Sequence, residues 1–319
     1  MKVVLFCGGL GMRLRDYTEN VPKPLVKIGR RPILWHLMKY YSHFGHDEFI
    51  LCLGYKGEYI KHYFLNYEES VSNDFVLSGG GDEIEILNRD IDDWRITFAD
   101  TGQTTCIGQR LAAVRKYLDG DEVFLANYAD GLTDLHLPDQ IDHFRQHGKV
   151  GSFLCVKPHL SYHFIQRGED GVVDGIRPFR ESDLRVNGGF FVFRQKIFDY
   201  MEPGDDLVEP TFERLIRNRE LLAYDYDGFW QAVDTAKDKE RVDQLHASGC
   251  PPWAVWGPTQ ATEAAAESLG GRENGRPGDH DVDMEKPLRS RSRPPGAEEA
   301  ASEWTAATPT DDSLPRDGD

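Results

Sequence analysis

Positive charge is the first thing this 319-residue sequence is short of: 37 Lys and Arg stand against 54 Asp and Glu, a formal net charge of −17. That balance argues against a nucleic-acid or anionic-membrane surface, both of which call for basic patches. Long apolar runs are missing too. None approaches the roughly 20 residues needed to cross a bilayer, and the N-terminus has neither the basic region nor the hydrophobic stretch of a signal peptide. Cysteine is sparse and odd in number. Cys7, Cys52, Cys106, Cys155 and Cys250 lack metal-ligand spacing, so reduced thiols in a cytoplasmic protein are expected. The neighbours of Cys7 predict a buried strand end rather than a nucleophile. Internal repeats are absent.

The two common glycine signatures are also absent. An apolar strand, Val3-Val4-Leu5-Phe6, runs into Cys7-Gly8-Gly9-Leu10-Gly11-Met12-Arg13-Leu14, with Pro22-Lys23-Pro24 behind. A dinucleotide fingerprint would need glycine where Leu14 stands, and a Walker loop would need Gly-Lys-Ser/Thr at its end. What is there suits a different phosphate chemistry. Three glycines let the backbone approach a polyphosphate and offer it N–H donors. Arg13 and Lys23 supply cations that would neutralise charge during phosphoryl or nucleotidyl transfer. The competing reading is a glycine-rich turn without a ligand.

Periodicity organises the rest. Residues 2–7, Phe49–Gly54, Val123–Ala126, Val150–Val156 and Gly189–Phe193 read as strands. Ile33–Phe44, Tyr59–Tyr67, Leu207–Arg217 and Asp238–Ala247 read as helices. Alternation of this kind predicts an α/β, doubly wound, mostly parallel sheet with ligands at the carboxyl ends of its strands. Between Ser70 and Asp100 the rhythm breaks, and Ser78-Gly79-Gly80-Gly81-Asp82 predicts a hairpin insertion. After Trp256 the composition changes. Residues 257–319 hold fourteen acidic and seven basic residues, a net charge of −7, with no sustained periodicity. A catalytic domain over 1–256 and a disordered acidic tail over 257–319 are therefore expected.

The loop Gly-Gly-x-Gly-x-Arg-Leu followed by Pro-Lys-Pro resembles the signature of the sugar-1-phosphate nucleotidyltransferases. The likeness continues through Lys27-Ile28-Gly29, Pro32-Ile33-Leu34-Trp35-His36, Gly54-Tyr55-Lys56-Gly57 and Asp100-Thr101-Gly102. It extends to Asp130-Gly131, Asn187-Gly188-Gly189-Phe190-Phe191, Gly228-Phe229-Trp230-Gln231, Asp234-Thr235 and Asp238-Lys239. Within the family it is nearest to the members that make CDP-glucose from CTP and glucose 1-phosphate, and it spans roughly residues 1–256. The resemblance implies a Rossmann-like, glycosyltransferase-A-like fold, a homo-oligomer, and Mg²⁺-dependent transfer from CTP to a hexose 1-phosphate, with α-D-glucose 1-phosphate the expected acceptor. Deoxysugar or surface-polysaccharide synthesis would use the product. Alternatives keep the chemistry with dTTP, UTP or another sugar 1-phosphate, or make the chain a non-catalytic nucleotide-sugar-binding regulator. A glycosyltransferase would have no reason for the glycine loop.

Site residues follow from the resemblance. Gly8, Gly9, Gly11, Met12, Arg13, Lys23, Thr101, Gly102 and Arg110 would bind nucleotide, with Arg13 and Lys23 also catalytic. Asp130 and Asp234 would hold Mg²⁺, which usually takes only one or two carboxylates; taken singly, Asp130 could cap a turn and Asp234 the helix containing Asp238. Lys23, between two prolines, is expected on extended backbone. Arg110 could equally be a helix-surface arginine. Asn187 would contact the sugar. Phe229 and Trp230 fit core packing and a sugar platform equally well.

Departures concentrate on the sugar side. Met12 stands where a small hydroxyl residue is usual, and Ala129 replaces a glycine. The family's Glu-Lys-Pro, whose lysine contacts the sugar phosphate, has no counterpart; Ile176-Arg177-Pro178-Phe179-Arg180-Glu181 stands there, so Arg177 or Arg180 would have to substitute. His159-Leu160-Ser161-Tyr162-His163-Phe164 also differs from the family's sugar-site wording.

Overall fold

The computed structural model describes residues 1–9, 14–18, 21–91, 93–158, 163–178, 181 and 183–257. Its first strand, β1 (Val3–Phe6), is buried along its whole length, as a parallel strand covered on both faces must be. After α1 (Arg15–Thr18) come the short antiparallel pair β2 (Lys27–Ile28) and β3 (Arg31–Pro32). Then α2 (Ile33–His43) buries Ile33 through Met38 together with Tyr40 and Tyr41, so it is enclosed on most sides. β4 (Glu48–Leu53) and α3 (Gly57–Leu65) complete the first strand–helix repeat.

The rhythm breaks where expected. α4 (Glu69–Ser72) leads to β5 (Phe75–Ser78) and β6 (Glu83–Ile86), an antiparallel hairpin. The fold resumes with β7 (Arg95–Asp100), α5 (Ile107–Val114), β8 (Val123–Tyr128) and β9 (Gly131–Thr133). α6 (Leu137–His147) and β10 (Gly151–Val156) follow, then a second ribbon of β11 (His163–Arg167) and β12 (Val173–Pro178). β13 (Val186–Asn187), β14 (Phe191–Arg194), α7 (Thr211–Arg217), β15 (Leu221–Tyr226), β16 (Trp230–Ala232) and α8 (Ala236–Ala247) complete the described elements.

The main sheet runs β13-β10-β14-β8-β1-β4-β7, with β15 also paired to β10. β8, β1, β4 and β7 are mutually parallel, whereas β14 runs antiparallel to both β8 and β10. The fold is the doubly wound, mostly parallel α/β architecture that the sequence implied. Strand alternation builds two cores: Val3 and Leu5 face a cluster with Leu37, Phe49 and Phe190, while Val4 and Phe6 face one with Ile50, Phe124 and Phe191. A third cluster joins Leu14, Val26, Leu132, Val233 and Trp253 from five separate segments. Trp253 is 1% exposed, and its indole N–H donates to His36 Nδ1 at 3.3 Å. Burial pulls the His36 pKa down to about 4, so its ring stays neutral and able to accept.

Several boundaries differ from the expectation: the helix expected over Tyr59–Tyr67 is Gly57–Leu65, the one expected from Asp238 begins at Ala236, and two further shifts have a plain backbone cause. The helix expected from Leu207 begins at Thr211, because Pro210 lacks an N–H and disfavours helical backbone in the residue before it. The strand expected from Gly189 begins at Phe191, because Gly189 and Phe190 both take positive φ, +77° and +48°. The expected tail lies, from residue 258 onward, outside the described residues. Among the described residues no helix is long and apolar enough to cross a membrane.

Candidate active site

The site gathers at the carboxyl end of β1. Cys7 continues the strand, its N–H donating to Cys52 O at 3.0 Å. It is buried, and burial raises its thiol pKa well above the ordinary value, which fits the expected strand end and not a nucleophile. Gly8 has no room for a side chain: a Cβ there would lie 2.2 Å from Arg110 Cζ. Arg110, on α5, is 2% exposed and thus not a helix-surface residue. Its guanidinium donates to Leu53 O at 3.1 Å, Thr101 Oγ1 at 2.8 Å and Gln103 O at 3.3 Å, tying the ends of β4 and β7 beneath the glycine turn. Thr101 in turn donates its hydroxyl to Leu53 O at 2.8 Å, so that hydrogen points into the protein. Gly102 sits at φ +91°, its N–H donating to Asp100 Oδ1 at 3.1 Å. Among the described residues, nothing lies within 4 Å of where a Cβ on Gly9 would stand. Gly11, Met12 and Arg13 lie outside the described residues.

Lys23 is not extended as expected. Pro22 is, but Lys23–Leu25 forms one tight turn, closed by Leu25 N–H to Pro22 O at 2.8 Å and Val26 N–H to Lys23 O at 3.0 Å. These bonds outweigh the preference imposed by Pro24. The turn aims the ammonium at two carboxylates from distant parts of the chain: Asp130 Oδ2 at 2.5 Å and Asp234 Oδ1 at 2.6 Å. Burial alone would lower the Lys23 pKa, but the two carboxylates oppose it and leave the pKa above the ordinary lysine value.

The carboxylates are brought together by a short ribbon. β9 pairs with β16 through Gly131–Ala232, Leu132–Gln231 and Thr133–Trp230. Just beyond, Val233 N–H donates to Asp130 O at 3.0 Å, so Asp130 precedes one strand and Asp234 follows the other at the same end. Asp234 is not the cap of α8. Thr235 is, in a reciprocal capping box with Asp238, which leaves the Asp234 carboxylate directed at Lys23. Among the described residues no group of three or more His, Cys, Asp or Glu gathers as a metal cage. Two carboxylates nevertheless fit Mg²⁺, a hard ion that completes its shell with phosphate oxygens and water.

Of the residues expected to meet the sugar, Asn187 ends β13 and accepts from Gly189 N–H at 2.9 Å. Trp230 is partly buried and donates from its indole to Gly188 O at 2.9 Å. Arg177 stands exposed on β12 opposite Phe164 and forms no ion pair among the described residues; Arg180 lies outside them. The structure thus joins Lys23, Asp130 and Asp234, and separately Gly8, Arg110 and Thr101, but does not join Arg177 to Asn187. Sequence reasoning missed Asn127 and Gln140, both fully buried. An asparagine inside the apolar run Val123–Tyr128 was the available signal.

Comparisons with known proteins bear on these residues. The profile described as "Nucleotidyl transferase" matches residues 2–244. A Bacillus subtilis protein named as a probable glucose-1-phosphate cytidylyltransferase is 39% identical over 258 residues, covering 80% of this chain and all of the relative. The Salmonella typhi glucose-1-phosphate cytidylyltransferase is 37% identical over 263 residues, with coverage of 80% and 100%. A UDP-glucose pyrophosphorylase solved with UDP-glucose superposes at a TM-score of 0.58 and 15% identity, covering 78% of this chain and 98% of that one. The UTP-bound enzyme from Acinetobacter baumannii gives 0.57 at 17% identity, covering 85% and 99%. At those identities the two structures share the fold.

Proposed function

The chain belongs to the nucleotidyl transferase family, and from that premise we propose that it transfers the cytidylyl group of CTP to α-D-glucose 1-phosphate, giving CDP-glucose and pyrophosphate. The observation that carries the reading is Lys23 spanning Asp130 and Asp234, with Asp130 just beyond β8, whose end lies beside the end of β1 that leads into the glycine turn. Nucleotidyl transfer brings a sugar phosphate dianion against a polyanionic triphosphate, so charge repulsion is the main obstacle. A phosphate oxygen of the sugar attacks the α-phosphorus in line, its bond forms as the bond to pyrophosphate breaks, and no protein nucleophile is needed.

Each residue of the chain has a part. Gly8 and Gly9 admit the triphosphate close to the backbone, and Gly11, Met12 and Arg13 continue that loop. Arg110 backs the turn with buried positive charge, and Thr101 and Gly102 shape the edge beside the base. Lys23 stabilises charge developing on the phosphates. Asp130 and Asp234 would hold Mg²⁺, which supplies charge neutralisation and orientation of the phosphates when bound. Asn187 orients a sugar hydroxyl, and Arg177 or Arg180 takes the sugar phosphate. A cytoplasmic homo-oligomer serving deoxysugar or surface-polysaccharide synthesis, with residues 257–319 as an accessory tail, completes the proposal.

The test is pyrophosphate release from each NTP paired with a panel of sugar 1-phosphates. CTP with glucose 1-phosphate should give the highest kcat/KM. A higher value for dTTP or UTP would move the assignment to another base, and no release from any pair would remove the enzyme reading.

A further inference from the structure

The antiparallel strand between β10 and β8 is broken in one place, and the break is costly in conformational terms. β13 ends at Asn187 and β14 resumes at Phe191, with Gly189 at φ +77° and Phe190 at φ +48° between them. A bulky residue in the left-handed region is a genuine outlier, and such strain persists only where the surroundings over-determine it. Phe190 is held at every group it has. Asn127 Oδ1 accepts its N–H at 2.9 Å, and Gln140 Nε2 donates to its carbonyl at 2.7 Å. Its ring packs edge-on to Tyr40 at 5.6 Å and stacks on Tyr41 at 6.1 Å.

Both amides are wholly buried; Asn127 faces the Tyr41 side chain that stacks on Phe190, and among the described residues Gln140 Oε1 has no hydrogen-bond partner. Buried polar atoms without partners are rare and call for a reason. The reason offered by the geometry is the turn itself. Asn127 Oδ1 also accepts from Tyr128 N–H at 2.8 Å and lies 2.3 Å from where a Cβ on Gly189 would stand. The same turn aligns Asn187 Oδ1 with Gly189 N–H and Gly188 O with the Trp230 indole. A Cβ on Gly131, next to Asp130, would lie 3.8 Å from Phe190 Cε2 and 3.9 Å from Trp230 Nε1. The strained residue therefore sits between the carboxylate ribbon and the Asn187 turn.

We propose that Asn127 and Gln140 are positioning residues that clamp Phe190 in its left-handed conformation, and so set where Asn187 meets the sugar of the sugar 1-phosphate. The inference rests on the sugar-side role given to Asn187 above. Neither amide touches substrate. Each acts through Phe190 on the turn from Asn187 to Gly189.

The experiment measures KM for glucose 1-phosphate and for CTP separately, with thermal melting recorded for each variant. Asn127→Leu, which keeps the branched outline and removes the acceptor, should lower kcat/KM for the sugar phosphate by up to about 10²-fold, the cost of misplacing a reacting group by an ångström, while the KM for CTP stays within about twofold. Asn127→Asp retains the acceptor for both backbone N–H groups and should restore most of the loss. Should Asn127→Leu fail to fold, Gln140→Leu frees the same residue from its carbonyl side and should show the same split. A purely structural role would lower the melting temperature and the active fraction while leaving both KM values in place, and that result overturns the proposal. Asn187→Ala separates the two layers. No effect of Asn187→Ala on sugar kinetics would remove the sugar-site reading itself. A rise in sugar KM for Asn187→Ala, with none for the Asn127 and Gln140 variants, would remove only the clamp.

Discussion

At the carboxylate ribbon, Lys23 reaches residues 107 and 211 positions further along the chain, its ammonium 2.5 Å from one carboxylate and 2.6 Å from the other. On the second ribbon, Arg177 stands on strands that among the described residues pair only with each other, with Ile165, Val173 and Ile176 exposed around it. Lys23 and its two carboxylates, like Asn187 on β13, are tied to the sheets and the third core cluster, whereas Arg177 hangs on a hairpin. An isolated hairpin is marginally stable in water, whereas the part-buried ion pairs of Lys23, joined to the sheet ends, are held by the whole fold. The contrast teaches that the proposed catalytic cluster is placed by the core. The arginine proposed for the sugar phosphate sits where sequence can change at little cost to folding.

The comparison breaks if the core half proves dispensable. Asp130→Asn and Asp234→Asn should each cut kcat by more than the roughly 10²–10³-fold that a single preorganised donor contributes, with circular dichroism unchanged. Wild-type rates in either variant, or in excess EDTA, would remove the carboxylates from the chemistry.

Lys23→Ala should come next, lowering kcat by about 10²–10³-fold and raising the KM for CTP less. A change confined to KM would reassign Lys23 to binding alone. Because its ammonium now answers both carboxylates, Lys23→Met should also bind Mn²⁺ more tightly in the absence of nucleotide, a titration that reads the same contact without turnover.

A smaller effect tests the ribbon. Arg177→Ala should raise the KM for glucose 1-phosphate by about tenfold, equivalent to ~1.4 kcal/mol, and leave the KM for CTP unchanged. Should only Arg180→Ala do so, the sugar-phosphate cation is the other arginine of that segment. No response from either, or from the double variant, would place that cation elsewhere.

The smallest expected effect concerns the C-terminus. Trp253 is buried against His36, and Trp256 meets Trp35 edge-on at 5.9 Å, so the described chain is anchored up to that point. A chain ending at Trp256 should keep kcat within about twofold, since residues 257–319 offer neither a phosphate loop nor a metal-ligand pair in their sequence. A large fall in activity with folding intact would show that residues 257–319 complete the site.

Much of this molecule was legible before any coordinates. Alternating strands and helices, the glycine loop and the order of motifs specified the doubly wound sheet, and the family resemblance pointed to Asp130 and Asp234 as partners. Those features are local in sequence: apolar period, turn residues and helix signals act within a few positions. Sequence alone left open whether Asp234 caps α8, whether Arg110 is on the surface and where Lys23 points. Tertiary structure decided each. Thr235 took the cap, the guanidinium of Arg110 filled the space that Gly8 leaves, and a tight turn directed Lys23 at two carboxylates. The left-handed Phe190 was illegible for the same physical reason. Its conformation is imposed by Asn127, Gln140, Tyr40 and Tyr41, residues that become its neighbours only once the sheet has closed.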